Sequence, residues 1–317
     1  MFRRFLLATG AVVLFAALLA PFSAAAVPVT ARQITITDPL ADKLTFDALT
    51  AGDPAAARRG KLVLLLHGFP QNAETWRPML PAIAEAGYYA VAPSLRGYSP
   101  GARPMAAGSY DTANSVRDVL AIADALRAPR FHVVGHDWGG IVAWRTAAEN
   151  PTRVRSLTSV STTNPSALFE AALDLSTGQL GRLVYFLFMQ EPSMRDLMSA
   201  FDGYFAVATL KEMGLTDQQA RGYMGHLLRN GSLESALRWY RDNPLTSQPQ
   251  LPTITVPTTL VWGRNDFAFG PESAALSAKY VKADYRFVPV DAGHFVPETH
   301  FGLVTTEILR RLGSTGS

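Results

Sequence analysis

The segment Gly135-His136-Asp137-Trp138-Gly139-Gly140 places a single carboxylate among closely spaced glycines. The apolar run Phe131–Val134 predicts a strand before it, and helical spacing follows it as far as Glu149. Glycines permit the sharp strand-turn-helix bend that lifts the middle side chain above the sheet. A carboxylate in that position can attack an sp³ carbon and form an ester with the substrate. The structural alternative is an aspartate that only caps the following helix.

An ester on Asp137 needs water and a base for its hydrolysis, and His294 is the predicted base. It follows the last apolar run of the chain, in the segment Asp291-Ala-Gly-His294-Phe. The chain order of nucleophile, acid and histidine in this type of site requires a histidine there. The chain has six histidines, and His300, at the start of the last predicted helix, is the reserve candidate.

Asp266 is the predicted partner of His294, with the role of orienting its ring and stabilising its cation. It lies just beyond the apolar run 258–262, which we take as the penultimate strand. Asp284 and Asp291 are rivals, but neither follows that strand. The oxyanion that forms during ester hydrolysis needs backbone N–H donors, predicted at Phe69, after His67-Gly68, and at Trp138, after the nucleophile.

The elements that must position these groups alternate along the chain. Two short alternating segments near the start predict a hairpin, and later apolar runs predict strands that are buried on both faces. Helical spacing separates these runs, so the fold class is α/β with a mostly parallel, doubly wound sheet. The predicted strands are Gln33–Thr37, Leu44–Ala48, Lys61–Leu66, Tyr88–Ala92, Phe131–Val134, Leu157–Val160, Thr258–Trp262 and Tyr285–Val290.

The alternation stops between residues 164 and 251, where the pattern predicts only helices. We therefore expect an α/β core of residues 27–163 and 252–317, interrupted by a helical lid of residues 164–251. Such a lid would cover the carboxyl ends of the strands, where open α/β sheets bind ligands.

Residues 1–26 have the layout of a secretory signal peptide, with Arg3 and Arg4 before the apolar run Phe5–Ala20 and small residues after Pro21. We expect a secreted or periplasmic protein; a retained membrane anchor is the less favoured alternative. Without the two leader arginines the net charge of +3 falls by two, so the chain gives no case for binding nucleic acid. It contains no cysteine, which excludes disulfides and thiol nucleophiles.

Three motifs together resemble the epoxide hydrolases of the α/β-hydrolase superfamily: His67-Gly-Phe-Pro70, Gly135-His-Asp-Trp-Gly-Gly140 and Gly293-His294. In the predicted lid, Tyr185-Phe-Leu-Phe-Met-Gln-Glu-Pro192 and Leu237-Arg-Trp-Tyr240-Arg resemble the family's two tyrosine segments. The resemblance implies that Tyr185 and Tyr240 bind the epoxide oxygen and help to protonate it. Phe188 and Met189 fill positions expected to shape the substrate pocket.

The resemblance implies a small-molecule epoxide and water as reactants and a vicinal diol as product. No metal or organic cofactor is expected, because side chains supply nucleophile, acids and base. A haloalkane dehalogenase is the first alternative, since that family shares the Asp137 motif. It commonly uses an asparagine where this chain has Phe69. A hydrolase fold retained as a non-catalytic binding protein is the second alternative, and its discriminator is whether Asp137 becomes esterified.

Overall fold

A computed structural model describes residues 26–39, 41–245 and 250–315. The predicted leader lies outside these residues except for Ala26. No helix in the described ranges has both the length and the hydropathy needed to cross a bilayer.

Eight strands form one sheet in the order β1-β2-β4-β3-β5-β6-β7-β8. The β1–β2 hairpin is antiparallel and joins β4 in antiparallel register, whereas all pairings from β4 to β8 are parallel. The predicted fold class and hairpin are thereby confirmed. The strands are β1 Thr30–Asp38, β2 Asp42–Ala51, β3 Leu62–Leu66, β4 Tyr89–Pro93, β5 Phe131–His136, β6 Val154–Val160, β7 Thr258–Gly263 and β8 Tyr285–Val290.

The continuous apolar run in β3 is explained by helices on both faces of the sheet. Leu62, Leu64 and Leu66 belong to one core cluster, and Val63 and Leu65 belong to another. Successive side chains of a strand point to opposite faces, so a strand covered on both sides is apolar at every position. β3 is therefore held rigidly, and the loop after it starts from a fixed point.

Helices flank the sheet and fill the interval between β6 and β7. They are α1 Ala55–Arg58, α2 Leu80–Glu85, α3 Thr112–Ala125, α4 Trp138–Glu149, α5 Pro165–Leu173, α6 Gln179–Arg182, α7 Val184–Gln190, α8 Met194–Glu212, α9 Asp217–Arg229, α10 Leu233–Arg241, α11 Pro271–Leu276, α12 Val296–Thr299 and α13 Phe301–Gly313. Helices α3 and α4 pack on one face of the sheet, and α2 and α13 pack on the other.

The lid consists of α5 to α10, which leave the sheet after β6 and return to it at β7. Helix α9 begins with a capping box, in which Thr216 and Gln219 each bond the other's backbone. Helix α8 is broken at residues 200–203, where Phe201 and Asp202 have φ of 50° and 55°. Left-handed backbone at two such residues is a strained arrangement, so the lid contains one sharp break.

Candidate active site

Asp137 occupies a strained turn between β5 and α4, with φ of 53° and ψ of −123°. The residues two positions before and after it have to be glycine, because the turn brings backbone atoms into contact. A Cβ on Gly135 would lie 2.2 Å from the carbonyl oxygen of Gly139, and a Cβ on Gly139 would lie 2.2 Å from that of Leu66. The glycines of the motif are thus a steric requirement of the bend that raises the aspartate.

Asp137 is 7% exposed, and a nitrogen lies near each oxygen of its carboxylate. The backbone N–H of Phe69 donates to Oδ1 at 2.8 Å. The Nε2 atom of His294 lies 3.5 Å from Oδ2. One oxygen is therefore bound to the predicted oxyanion donor, while the other faces the predicted base and the cavity.

His294 is held from behind by Asp266, whose Oδ2 lies 2.9 Å from Nδ1 of the ring. The other carboxylate oxygen accepts hydrogen bonds from the backbone N–H groups of Ala268 at 2.8 Å and Phe269 at 3.0 Å. Both side chains of the pair are at most 2% exposed. Because Asp266 is fixed at both oxygens, it determines the orientation of the His294 ring.

The charges of this group stabilise one another. Burial would raise the pKa of Asp137, but its hydrogen bond and ionic interaction with His294 hold that pKa below its ordinary value. Burial would lower the pKa of His294, but the charge of Asp266 and the contact with Asp137 raise it to about 10. In the free protein Asp137 is thus an anion and His294 a cation at neutral pH.

Tyr185 and Tyr240 reach the same cavity from helices α7 and α10, with ring centroids 6.5 Å apart. The Tyr240 ring packs edge-on against Trp138, with centroids 5.2 Å apart. Burial and the charge of Asp137 raise the pKa of both phenols well above the ordinary value. Both phenols are therefore neutral in the cavity that Asp137 also lines.

The two predicted backbone donors both lie beside Asp137. Phe69 already donates to the carboxylate. Trp138 is the first residue of α4, so its N–H has no partner within the helix. The indole of Trp138 lines the cavity.

Phe188 and Met189 were wrongly predicted to shape this cavity. Phe188 is 59% exposed, because it lies two residues, or about 200°, around helix α7 from the inward-facing Phe186. Met189 lies near the end of that helix and packs against the large core cluster. Helix α5 contributes the largest share of the cavity wall, and α4, α6, α7 and Phe269 contribute to the rest.

The rival acids and the reserve histidine lie elsewhere. Asp284 pairs with Arg311, and the Oδ1 of Asp291 accepts a hydrogen bond from Asn265 at 3.1 Å. His300 contacts the hydroxyl of Thr299 at an exposed site. Of the candidates, only Asp266 contacts His294.

A chain of buried polar groups behind His294 was not foreseen. The Nε2 of His136 lies 2.9 Å from the backbone oxygen of His294, and its Nδ1 lies 3.0 Å from Oε1 of Gln71. Gln71 donates to Glu298 at 2.8 Å, and Tyr223 of α9 donates to the same oxygen at 2.9 Å. The available sequence signal was the position of Glu298, four residues after His294.

No set of three or more histidine, aspartate or glutamate residues within 26–39, 41–245 and 250–315 is arranged to hold a metal ion. The described groups can instead supply a nucleophile, two neutral acids, a base and an oxyanion site.

Comparisons with known proteins agree on the family. Residues 61–301 match the family model described as the alpha/beta hydrolase fold. Epoxide hydrolase A of Mycobacterium tuberculosis is 29% identical over 306 residues, which cover 83% of this chain and 92% of that protein. Epoxide hydrolase 4 of Mus musculus is 30% identical over 250 residues, covering 75% of this chain and 69% of that protein.

The fold is also found in a solved epoxide hydrolase from Bacillus megaterium, a mutant in complex with its diol product. The TM-score is 0.77 at 22% identity, and the match covers 89% of this chain and all of that one. At this identity the likeness concerns the fold alone. The family model and the curated relatives lead to one conclusion: the chain is a hydrolase that belongs to the epoxide hydrolase family of the α/β hydrolases.

Proposed function

We propose that this protein hydrolyses an epoxide to a vicinal diol through an ester on Asp137. The observation that carries the proposal is the arrangement of one anionic carboxylate opposite two neutral phenols in a single cavity. An epoxide needs both groups at once, because a carbon must be attacked while the ring oxygen receives a proton.

In the first step an oxygen of Asp137 attacks an epoxide carbon and the carbon–oxygen bond of the ring breaks. The released alkoxide takes a proton from Tyr185 or Tyr240, which becomes a phenolate. Oδ2 is the better nucleophile, since Oδ1 already accepts the N–H of Phe69. The phenolate then regains a proton from cationic His294 through solvent, leaving the histidine neutral.

In the second step neutral His294 removes a proton from water, and the oxygen of that water attacks the ester carbonyl carbon. The N–H groups of Phe69 and Trp138 bind the oxyanion. Collapse of this intermediate expels the diol oxygen, which takes the proton of the new carboxylic acid. Asp137 is then an anion and His294 a cation again, so the net reaction is addition of one water to the epoxide.

Ester formation itself prepares the base. The raised pKa of His294 depends in part on the charge of Asp137, and that charge disappears when the carboxylate is esterified. The pKa of His294 therefore falls at the stage at which a neutral imidazole is required. Asp266 keeps the ring oriented throughout.

Trapping tests the proposal. A His294→Gln variant incubated with octene oxide should gain the mass of one epoxide molecule on Asp137, located by peptide mass spectrometry. Asp137→Ala in the same background is the matched control and should gain none. If the wild-type protein forms no diol and the His294→Gln variant gains no mass, the proposal is wrong and the protein is a non-catalytic binding protein.

A comparison of an epoxide with a haloalkane distinguishes this proposal from the haloalkane dehalogenase alternative. A dehalogenase binds the departing halide with side-chain N–H donors, and Trp138 offers one at the cavity wall. Phe69, which stands where that family commonly has an asparagine, has an apolar ring that packs edge-on against Tyr240. We therefore expect diol from octene oxide and no halide from bromooctane, measured at equal enzyme concentration.

For cellular location, we propose export through the segment 1–26, on the basis of its sequence pattern alone. The amino-terminal residue of protein purified from the native cell tests this, since removal of a leader leaves a new terminus near residue 27.

A further inference from the structure

The cavity above Asp137 is almost entirely apolar. It has a volume of about 410 Å³, within the range of pockets that enclose small organic ligands. The polar side-chain atoms of its wall belong to Asp137, Tyr185, Tyr240 and Trp138 at its base. The remaining wall consists of Leu, Ile, Phe, Pro and Ala side chains, mostly from helices α5 to α7.

The wall changes from buried to exposed along its length. Asp137 and Tyr240, at the base, are 7% and 3% exposed. Leu173, Leu175 and Leu180, at the other end, are 68%, 77% and 48% exposed. Leucines gathered at the open end of a pocket form a continuous apolar rim, which is typical of a surface that binds an apolar ligand.

Charged groups of the neighbouring lid are engaged outside this wall. Arg182 donates to the backbone oxygen of Asp266 at 2.8 Å. Glu170, on helix α5, pairs with Lys279 at 2.8 Å. The wall itself has no cationic side chain, so a carboxylate or phosphate on the substrate would lose water without gaining a counter-ion.

We propose that the substrate is a neutral epoxide with an extended apolar chain, which runs from the reacting carbons at Asp137 along α5 to the leucine rim. This proposal rests on the proposed epoxide hydrolysis and specifies the substrate class of the same site. The tyrosines bind the one polar group of such a molecule, and the leucines take the chain out of water.

A series of terminal epoxides from butene oxide to dodecene oxide tests the inference, because the reacting carbons stay the same. Each added methylene buried in the wall should raise kcat/KM about fourfold until the chain reaches the rim. The epoxide of undecenoic acid should react at least tenfold more slowly than the epoxide of its methyl ester, because its carboxylate would have to enter an apolar wall that has no counter-ion. A flat series, or an acid that equals its ester, would overturn the inference.

Variants of the leucine rim test where the apolar chain of the substrate lies. In a Leu173→Ser, Leu175→Ser double variant, the ratio of kcat/KM for dodecene oxide to that for butene oxide should fall about tenfold, as expected for lost apolar contact. Both leucines are exposed, so the fold does not depend on them. Leu197→Ser is the matched control, because Leu197 is 57% exposed on α8 outside the wall. An unchanged ratio in the double variant would contradict the assigned path of the chain.

Different results would contradict the proposed chemistry and the proposed substrate class. If the wild-type protein forms diol from every member of the series with equal efficiency, the epoxide chemistry stands and the apolar substrate class is wrong. If no member yields a diol and no ester is trapped on the His294→Gln variant, the proposed chemistry is wrong and the substrate class falls with it.

Discussion

Tyr223 of the lid donates a hydrogen bond of 2.9 Å to Glu298, which lies four residues after His294. Glu298 also accepts from Gln71, and Gln71 contacts His136, whose other nitrogen meets the backbone oxygen of His294. Burial raises the pKa of Glu298 and lowers that of His136 to about 3. One polar chain therefore joins the lid to the loop that carries the predicted base.

Loss of either end of this link should slow ester hydrolysis more than ester formation, because the link ends at the backbone oxygen of His294, the predicted base for hydrolysis. Tyr223→Phe and Glu298→Ala should each also lower the free energy of unfolding by about 1–3 kcal/mol, the cost of an unpaired buried polar group. Rapid quenching with mass detection of the ester separates the two steps. In the double variant the losses should be less than additive. Equal slowing of both steps, or additive losses, would argue against the link.

Tyr185 and Tyr240 should share the protonation of the epoxide oxygen. Tyr185→Phe or Tyr240→Phe alone should slow ester formation, and the double variant should lose about a hundredfold or more, as when an oxyanion donor is removed. Single-turnover measurement of ester on Asp137 gives this rate directly. Tyr204→Phe is the control, because Tyr204 is an exposed lid tyrosine. A double variant with the wild-type rate would mean that the phenols only pack the lid.

The two chemical steps should depend differently on pH. Ester formation needs ionised Asp137, whose pKa is lowered, so its rate should stay level from neutrality down to about pH 5. Ester hydrolysis needs neutral His294, so its rate should fall as pH drops below the pKa of that histidine in the ester form. That pKa lies below the value of about 10 in the free protein, because the charge of Asp137 is absent. Single-turnover rates for both steps test this, and identical profiles would contradict it.

Arg96, after β4, is a structural cation and should matter for stability alone. Its side chain is fully buried between Asp38 and Asp118, at 2.8 Å and 2.6 Å, and its backbone oxygen accepts the indole N–H of Trp239 in the lid. Arg96→Met removes the shared cation from two buried acids, which costs about 3–5 kcal/mol of unfolding free energy. Arg59→Met, at an exposed pair, should change little. Denaturant unfolding measures both, and an equal effect would contradict this role.

Local sequence patterns were enough to predict the sheet and the central carboxylate. Strands such as β3 are apolar at every position because both faces are covered, and few other elements produce so short a continuous run. Asp266 and His294 were found from their positions after β7 and β8. In a parallel sheet those positions lie at one edge, so chain order alone brings the residues together.

The orientation of the lid helices could not be predicted in this way, because the apolar residues of the lid are not confined to a buried face. Phe188, Phe201 and Phe205 are all more than half exposed, so hydrophobicity did not indicate which side of a helix faces the cavity. In addition, no helix-breaking proline in the sequence indicates the break in α8 at Phe201 and Asp202. The link from Tyr223 to Glu298 joins residues far apart in sequence, and pairing at that range is set by packing.

The lid departs after β6 and rejoins the sheet at β7, two strands that lie side by side with Leu157 paired to Thr258. Its two ends are thus neighbours anchored in the same rigid layer. A foreign lid of another shape, spliced between these strands, would bring its own phenols and its own surface for the substrate chain to the same carboxylate, and it would have to replace the hydrogen bond that Tyr223 donates to Glu298. Substrate selectivity would then transfer with the lid, so chimeras of related chains should have the substrate range of the protein that supplied the lid.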